Sequence, residues 1–284
     1  MSMPYRNAVV RTAALAWLLI AAALLAGCVT PGGRETTANA LDGILAGSQR
    51  TAVDRSRDAY RHPKETLLFF GVRTDTRILQ VWPETGWYTE ILAPLVQAKG
   101  RYYAGMIGLV PRSRFLDARR ASYLRLLATR PGLYGRVTVV NFPLNGGDVL
   151  PRGSVDMVLS FRNLHEWMAL GNAPEALATI YRALAPGGVF GVVDNRGNPA
   201  LPQDPLAKNG YVRQDYAIRM IETAGFRLVA TSEVNANPKD TKDYPCGVWA
   251  LPPDYRLGNI DRARYQSIGE SDRFTLKFVK PAAK

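Results

Sequence analysis

The chain has 284 residues, an apolar content of 47%, a formal net charge of +12, two cysteines and two histidines. That length is sufficient for one large folded domain with its own core. The few cysteines and histidines exclude a disulfide framework and argue against a structural zinc site, so no metal is predicted.

The first segment of the chain predicts export. Arg6 and Arg11 are its only charged residues, and an uncharged apolar run follows from residue 13 to residue 26. This run is shorter than the roughly 20 residues that a membrane-spanning helix needs. It ends in small residues, which is typical of a cleaved signal peptide.

The residues at the end of this run indicate how the protein is anchored. Leu25-Ala26-Gly27-Cys28 resembles a lipobox, which implies cleavage after residue 27 and lipid on Cys28. Val29 follows where aspartate would favour the inner membrane, so the resemblance implies the periplasmic face of the outer membrane in a bacterial cell envelope. The alternative is a signal for soluble export with an incidental cysteine.

The remaining chain divides into two parts. Residues 28–40 are polar, contain glycine and proline, and predict a short tether, while residues 41–284 predict one domain. Without the two signal-peptide arginines the charge is about +10, spread along the chain. It indicates either attraction to anionic lipid headgroups or a solvated basic surface without a partner. Nucleic acid is not an expected partner, and the oligomeric state is left open.

Strand-like and helix-like segments alternate along the domain. This rhythm predicts βαβ units and a mainly parallel sheet in an α/β fold. The predicted strands are 77–82, 101–106, 137–140, 155–160, 189–193, 226–234 and 274–279, and the predicted helices include 87–96, 113–129, 174–184 and 211–224. About 40 mostly polar residues separate the last two strands, which is typical of a lid or binding loop.

Three segments carry a resemblance to a known family. They are residues 78–95, residues 154–159 and the run Arg182-Ala183-Leu184-Ala185-Pro186-Gly187-Gly188. They resemble class I S-adenosylmethionine-dependent methyltransferases. Trp82-Pro83, residues 87–94, residues 161–167 and residues 237–243 resemble a narrower group of exported bacterial methyltransferases. The resemblance implies a doubly wound, seven-stranded Rossmann-like sheet with an antiparallel last strand, and S-adenosylmethionine as cofactor.

In doubly wound sheets the ligand lies at the carboxyl ends of the strands. The resemblance therefore assigns cofactor binding to residues at or after these ends. They are Gln80, Trp82, Glu84, Gly86, Met106, Asn141, Phe142, Ser160 and Phe161. Gln80 occupies a position that is usually acidic, and Trp82 and Glu84 occupy positions where glycines are common. Met106 stands near the expected ribose-binding acid. Glu84 would either repel the methionine carboxylate of the cofactor or contact its amino group.

The segment after the fourth strand has the densest polar and aromatic cluster. His165 is a candidate general base, and Arg162 and Asn163 are candidates for fixing a carboxylate of substrate or cofactor. The alternative is a helix start in which Asn163 and Glu166 form a capping box and Trp167 belongs to the core. Asp194 either lines the cleft or caps a turn.

These observations favour a lipid-anchored methyltransferase-like protein that acts on a small molecule or an envelope component. S-adenosylmethionine is a cytoplasmic metabolite, so an exported enzyme would need a supply across the membrane. One alternative is a non-catalytic binding protein that has kept the fold. Another is a scaffold that uses its basic surface.

Overall fold

The computed structural model describes residues 31–108 and 113–282. Seven strands form one sheet in the order β3-β2-β1-β4-β5-β7-β6. Strands β1 to β5 are parallel to their neighbours among themselves, while β7 is antiparallel to β5 and β6. The strands are β1 (Arg77–Val81), β2 (Arg101–Ile107), β3 (Val137–Phe142), β4 (Val155–Phe161), β5 (Leu184–Asn195), β6 (Arg227–Ser232) and β7 (Arg273–Val279). The predicted seven-stranded, mainly parallel α/β sheet with an antiparallel last strand is confirmed.

Helices cover both faces of the sheet and connect its strands. They are α1 (Pro31–Leu45), α2 (Ala52–Ser56), α3 (Asp58–Arg61), α4 (Pro63–Phe70), α5 (Thr89–Val96), α6 (Arg114–Thr129), α7 (Pro131–Tyr134), α8 (Leu164–Ala169), α9 (Ala173–Ala183), α10 (Gln214–Thr223) and α11 (Arg262–Ile268). The helix predicted from residue 87 begins later, at α5, and its N-cap is Tyr88.

The core lies on both faces of the sheet because successive side chains of a strand point in opposite directions. In β1, Leu79 packs into one apolar cluster with Phe190 and Trp167. Ile78 packs into a second cluster with Leu67 and Leu92. All six side chains are fully buried. The sheet is therefore a central layer between two helical layers, and its carboxyl edge remains available for a ligand.

The first described helix differs from the predicted tether. Residues 31–40 belong to α1, where Thr37 and Leu41 are buried. Leu41 is part of the same apolar cluster as Leu67, so the folded structure extends to residues before 41. The polar composition that suggested a tether is compatible with a helix that packs along one face only. The signal peptide and Cys28 lie outside the described residues.

The segment between β6 and β7 bears on the position of a site. Between β6 and β7 the chain forms a 3-10 turn (Gly247–Ala250) and then α11, so the predicted binding loop has structure of its own. Across residues 31–108 and 113–282, none of the helices has the length and apolar character required to cross a bilayer.

Trp167 offers a test of the packing beneath the site. Its ring is fully buried between Trp82 and Phe142. We expect Trp167→Ala to lower the free energy of unfolding by about 3–5 kcal/mol, because a large cavity would remain. Leu170→Ala is the matched control, since Leu170 is 59% exposed and should change stability by less than about 0.5 kcal/mol. Urea unfolding measures both, and similar losses would contradict the packing.

Candidate functional site

A cleft of about 490 Å3 opens at the carboxyl ends of β1 and β4. Its walls come from five parts of the chain: the helices before β1, the loop after β1, helix α6, the segment after β4, and the long loop before β7. The lining residues are Arg57, Arg61, Gln80, Trp82, Pro83, Glu84, Thr85, Trp87, Tyr88, Arg119, Phe161, Arg162, Glu166, Trp249, Pro253, Asp254 and Arg256. This is the ligand position expected for a doubly wound sheet.

The loop after β1 has an unusual backbone. Trp82, Glu84 and Gly86 have φ angles of 46°, 53° and 88°, so every second residue is left-handed. Such a conformation costs a non-glycine residue about 1 kcal/mol. At Gly86 a side chain is also excluded by space, because a Cβ there would lie 2.1 Å from Leu126 Cδ2. Trp82 and Glu84 thus have the left-handed backbone conformation that favours glycine, although both carry large side chains.

Two residues predicted to bind the cofactor, Trp82 and Gln80, make contacts with other side chains of the protein. Trp82 is buried, and its ring meets Trp167 edge-on with a centroid distance of 6.0 Å. Gln80 Oε1 accepts a 2.6 Å hydrogen bond from the Tyr102 hydroxyl, which lies 2.9 Å from Thr89 Oγ1. Gln80 therefore lines the cleft and also begins a buried series of hydrogen bonds at its floor, which continues through Tyr102 to Thr89.

Glu84 is the acidic side chain of the loop. It forms an ion pair with Arg119 at 2.5 Å. Burial raises the pKa of Glu84 to about 7, and the charge of Arg119 opposes this shift. Burial also raises the pKa of Glu166, which lines the same cleft. The cleft therefore holds two carboxyl groups that are easier to protonate than ordinary glutamates.

Met106 lines a separate, smaller cavity of about 20 Å3. Trp82, Glu84 and Arg119 line both this cavity and the main cleft. The Glu84–Arg119 ion pair accordingly lies at the boundary between the two spaces.

The loop after β4 supplies aromatic and basic groups. Phe161 stacks on Tyr88 with a centroid distance of 3.5 Å and an interplanar angle of 9°. Arg162 has a left-handed φ of 65°, and its Nη2 lies 3.6 Å from Asp254 Oδ2 of the late loop. Ser160 is buried and does not line the cleft.

The other two predicted catalytic residues lie behind the cleft lining. His165 is buried, its Nδ1 lies 2.8 Å from Asp194 Oδ1, and its ring contacts Trp249 at 6.1 Å. Burial opposes ionisation of Asp194, but His165 and backbone donors outweigh it and lower the Asp194 pKa. Asn163 donates to Val81 O at 2.9 Å, so the alternative capping box with Glu166 is not formed. Trp167 belongs to the core, as that alternative expected.

The residues predicted after β3 do not reach the cleft. Asn141 Oδ1 accepts a 2.9 Å hydrogen bond from Arg120 Nη1, and Phe142 is fully buried against Trp167. The structure thus brings together five of the predicted site residues. These are Gln80, Trp82, Glu84, Phe161 and Arg162.

Several lining residues were not predicted from the sequence. Arg57 and Arg61 come from the helices before the sheet, and no motif marks them. Trp249, Asp254 and Arg256 come from the long loop before β7, whose length was the available signal. Their position follows from tertiary packing, in which Arg57 and Arg61 bind Glu270 at 2.6 Å and 3.0 Å.

Comparison with known proteins supports the fold. No protein-family model matches this sequence, and no curated protein matches it. A methyltransferase from Aquifex aeolicus that depends on S-adenosylmethionine is similar in structure over 79% of this chain and 93% of its own, with a TM-score of 0.53 and 18% identity. The [4+2]-cyclase SpnF is similar over 84% of this chain and 86% of its own, with a TM-score of 0.58 and 15% identity.

A third similar structure is a sarcosine dimethylglycine methyltransferase, described as putative, from Galdieria sulphuraria. It is similar over 80% of this chain and 86% of its own, with a TM-score of 0.52 and 13% identity. At these identities the likeness shows the fold. This fold therefore occurs in proteins that are named for methyl transfer and in one named for a cyclisation.

The raised pKa of Glu84 predicts a pH effect on stability. A carboxyl group whose pKa rises on folding destabilises the folded state when it ionises. As the pH rises from 4.5 to about 7, the protein should lose stability relative to Glu84→Gln, and the difference should be constant above that range. Because 30% of the side chain is exposed, we expect about 1–2 kcal/mol. Urea unfolding of both proteins across this range measures it, and a pH-independent difference would contradict the shift.

Proposed function

We propose that this protein binds S-adenosylmethionine or a closely related nucleoside in the cleft and transfers its methyl group to an acceptor. The observation that carries the proposal is the left-handed backbone at Trp82, Glu84 and Gly86 in the loop after β1. Loops of this kind let the backbone approach a nucleotide ligand at the carboxyl edge of a parallel sheet. The similar structures named as methyltransferases support the same function.

The residues of the cleft suit such a ligand in two respects. The apolar side chain of Met106 and the shared cavity beside it would receive the nucleoside once Arg119 moves. The backbone of residues 82–86 would lie against the ligand, with the Trp82 ring forming part of the wall.

S-adenosylmethionine would supply an electrophilic methyl carbon on its sulfonium sulfur. The protein would supply the alignment of the reactants and a proton acceptor. Glu166 is the better acceptor of the two cleft glutamates, because Glu84 is paired with Arg119. Burial raises the Glu166 pKa above its ordinary value, which makes this carboxylate a stronger proton acceptor. His165 lies behind Trp249, so we assign it a positioning role for that side chain through its bond to Asp194.

We propose further that lipid on Cys28 holds the protein at the periplasmic face of the outer membrane. Helix α1 begins at Pro31, three residues after Cys28. Three residues span at most about 11 Å, so the folded part would lie close to the membrane surface. This proximity favours an acceptor from the envelope, or a small molecule at its surface.

A second candidate function is ligand binding without catalysis. Two contacts at the floor of the cleft favour it: Gln80 accepts a hydrogen bond from Tyr102, and the Trp82 ring packs against Trp167. In the class I S-adenosylmethionine-dependent methyltransferases that the sequence resembles, the position of Gln80 is usually acidic, and glycine is common at the position of Trp82. Binding of the nucleoside without turnover would identify this function.

Calorimetry with S-adenosylmethionine and S-adenosylhomocysteine tests the proposed ligand. We expect both to bind the purified protein, and we expect Glu84→Gly to tighten binding by about tenfold. Glycine adopts the left-handed backbone without strain and removes an acidic side chain from the cleft. Glu84→Gln is the matched control, because it removes the charge and keeps the strain. Absence of heat with either ligand at about 1 mM would overturn the proposed function.

The anchor is tested separately by labelling. In cells supplied with a labelled fatty acid, we expect the protein to carry the label and to sediment with membranes. Cys28→Ala should abolish both, because the thiol is the proposed acceptor of the lipid, whereas Cys246→Ala should change neither. Label retained by Cys28→Ala would contradict lipidation at this residue.

A further inference from the structure

A cluster of arginines forms one end of the cleft. Arg57, Arg61 and Arg273 converge on a single buried carboxylate, Glu270, at 2.6, 3.0 and 2.5 Å. Glu270 and Arg273 are each 2% exposed. One carboxylate balances one of these three charges, so the cluster retains an excess of two positive charges in a region with little solvent.

Arg162 adds a fourth guanidinium to this end. A small cavity of about 10 Å3 is lined by Arg61, Arg162 and Arg273 together with Asn235. In the part of the chain that the structure describes, no carboxylate lines this small cavity. It shares Arg61, Arg162 and the stacked rings of Tyr88 and Phe161 with the main cleft. The arginine cluster therefore borders the cleft directly.

Polar atoms around this space lack partners. Arg57 Nη2, Arg162 Nε and Arg273 Nε are buried and have no hydrogen-bond partner among the described residues. Buried donors without partners are costly, and a buried guanidinium carries both this cost and that of an unbalanced charge. The proximity of like charges and burial act together on Arg61, whose pKa is lowered to about 9, chiefly by burial. Such a cluster would be stabilised by an anion.

We propose that this end of the cleft is a binding subsite for a carboxylate or phosphate group carried by the methyl acceptor. Guanidinium groups bind such oxyanions through paired, charge-assisted hydrogen bonds. Arg57, Arg61 and Arg162 line the cleft and are the direct ligands. Arg273 lies behind them and contributes its charge.

The order of the strands separates this subsite from the nucleoside position. Met106 is on β2, on one side of β1, and Arg162 and Arg273 are after β4 and at the start of β7, on the other side. The Glu84–Arg119 pair borders the Met106 end, whereas the Tyr88–Phe161 stack borders the arginine end. The anion and a nucleoside would thus occupy opposite ends of one cleft. The anion site stands on its own observations, and its assignment to the acceptor rests on the proposed function.

The experiment is calorimetry on the full protein with citrate and inorganic phosphate as probes, alone and after saturation with S-adenosylhomocysteine. We expect binding that weakens with salt, since the attraction is between charges. Arg57→Gln and Arg162→Gln should each weaken binding by about tenfold or more. Arg57→Gln leaves Glu270 with Arg61 and Arg273, and Arg162→Gln touches none of the Glu270 bonds, so at least one variant should fold. Arg73→Gln is the matched control, because its ion pair with Asp75 is exposed.

The outcomes separate this inference from the proposed function. Citrate or phosphate binding that persists with S-adenosylhomocysteine bound, and that both cleft variants weaken, supports the subsite. Absence of binding to citrate, to phosphate and to anionic vesicles alike overturns it, as does binding by the cleft variants that equals that of the unmodified protein. Nucleoside binding in that case leaves the proposed function in place. Anion binding without nucleoside binding supports the anion site and overturns the proposed function.

Two arms identify the source of the oxyanion. Competition between citrate and S-adenosylhomocysteine would overturn the assignment to the acceptor, because the arginines would then hold the carboxylate of the nucleoside itself. Vesicles of phosphatidylglycerol and of phosphatidylcholine distinguish a lipid headgroup from a free acid. Arginine-dependent binding to the anionic vesicles, without binding of the free probes, would identify the oxyanion as a headgroup.

Discussion

The buried carboxylate of Glu270 connects the two ends of the described chain. It binds Arg57 and Arg61 near the first helices, more than 200 residues away in the sequence, and Arg273 at the start of the last strand. Burial alone would raise the pKa of Glu270, but three adjacent guanidinium groups reverse this and hold it well below the ordinary value. Removing one partner of a buried ion pair typically costs about 3–5 kcal/mol. The N-terminal helices therefore form a wall of the cleft because this carboxylate holds them against the sheet.

The loop after β1 shows how a backbone path can persist when its usual residues are absent. Trp82 and Glu84 accept a left-handed conformation that costs each of them about 1 kcal/mol. Burial of the Trp82 ring against Trp167 offsets the cost at the first position, since an aromatic side chain contributes several times that amount. At Glu84 the ion pair with Arg119 opposes only part of the cost of burying the carboxylate, so the strain there is not offset. Strain that persists at the mouth of a cleft is consistent with a functional constraint on the backbone.

The two ends of the cleft differ in chemistry, and this difference gives the site a direction. The Met106 end is small and largely apolar, and it is closed by a neutral ion pair. The arginine end carries excess positive charge and polar atoms that have no hydrogen-bond partner within residues 31–108 and 113–282. A ligand pair with one nucleoside and one acidic component matches this polarity. The long loop before β7 completes the enclosure, with Asp254 opposite Arg162.

The sequence by itself determined the order of the seven strands and the main helices between them, because hydrophobic periodicity and turn residues are local signals. It also placed Gln80, Trp82, Glu84, Phe161 and Arg162 at strand ends, where parallel topology brings them together. Only the tertiary structure decided that His165 turns toward Asp194 behind the lining, and that arginines from distant helices and the last strand converge on Glu270. Side-chain direction and long-range ion pairs depend on packing between elements. A one-dimensional pattern does not contain that information.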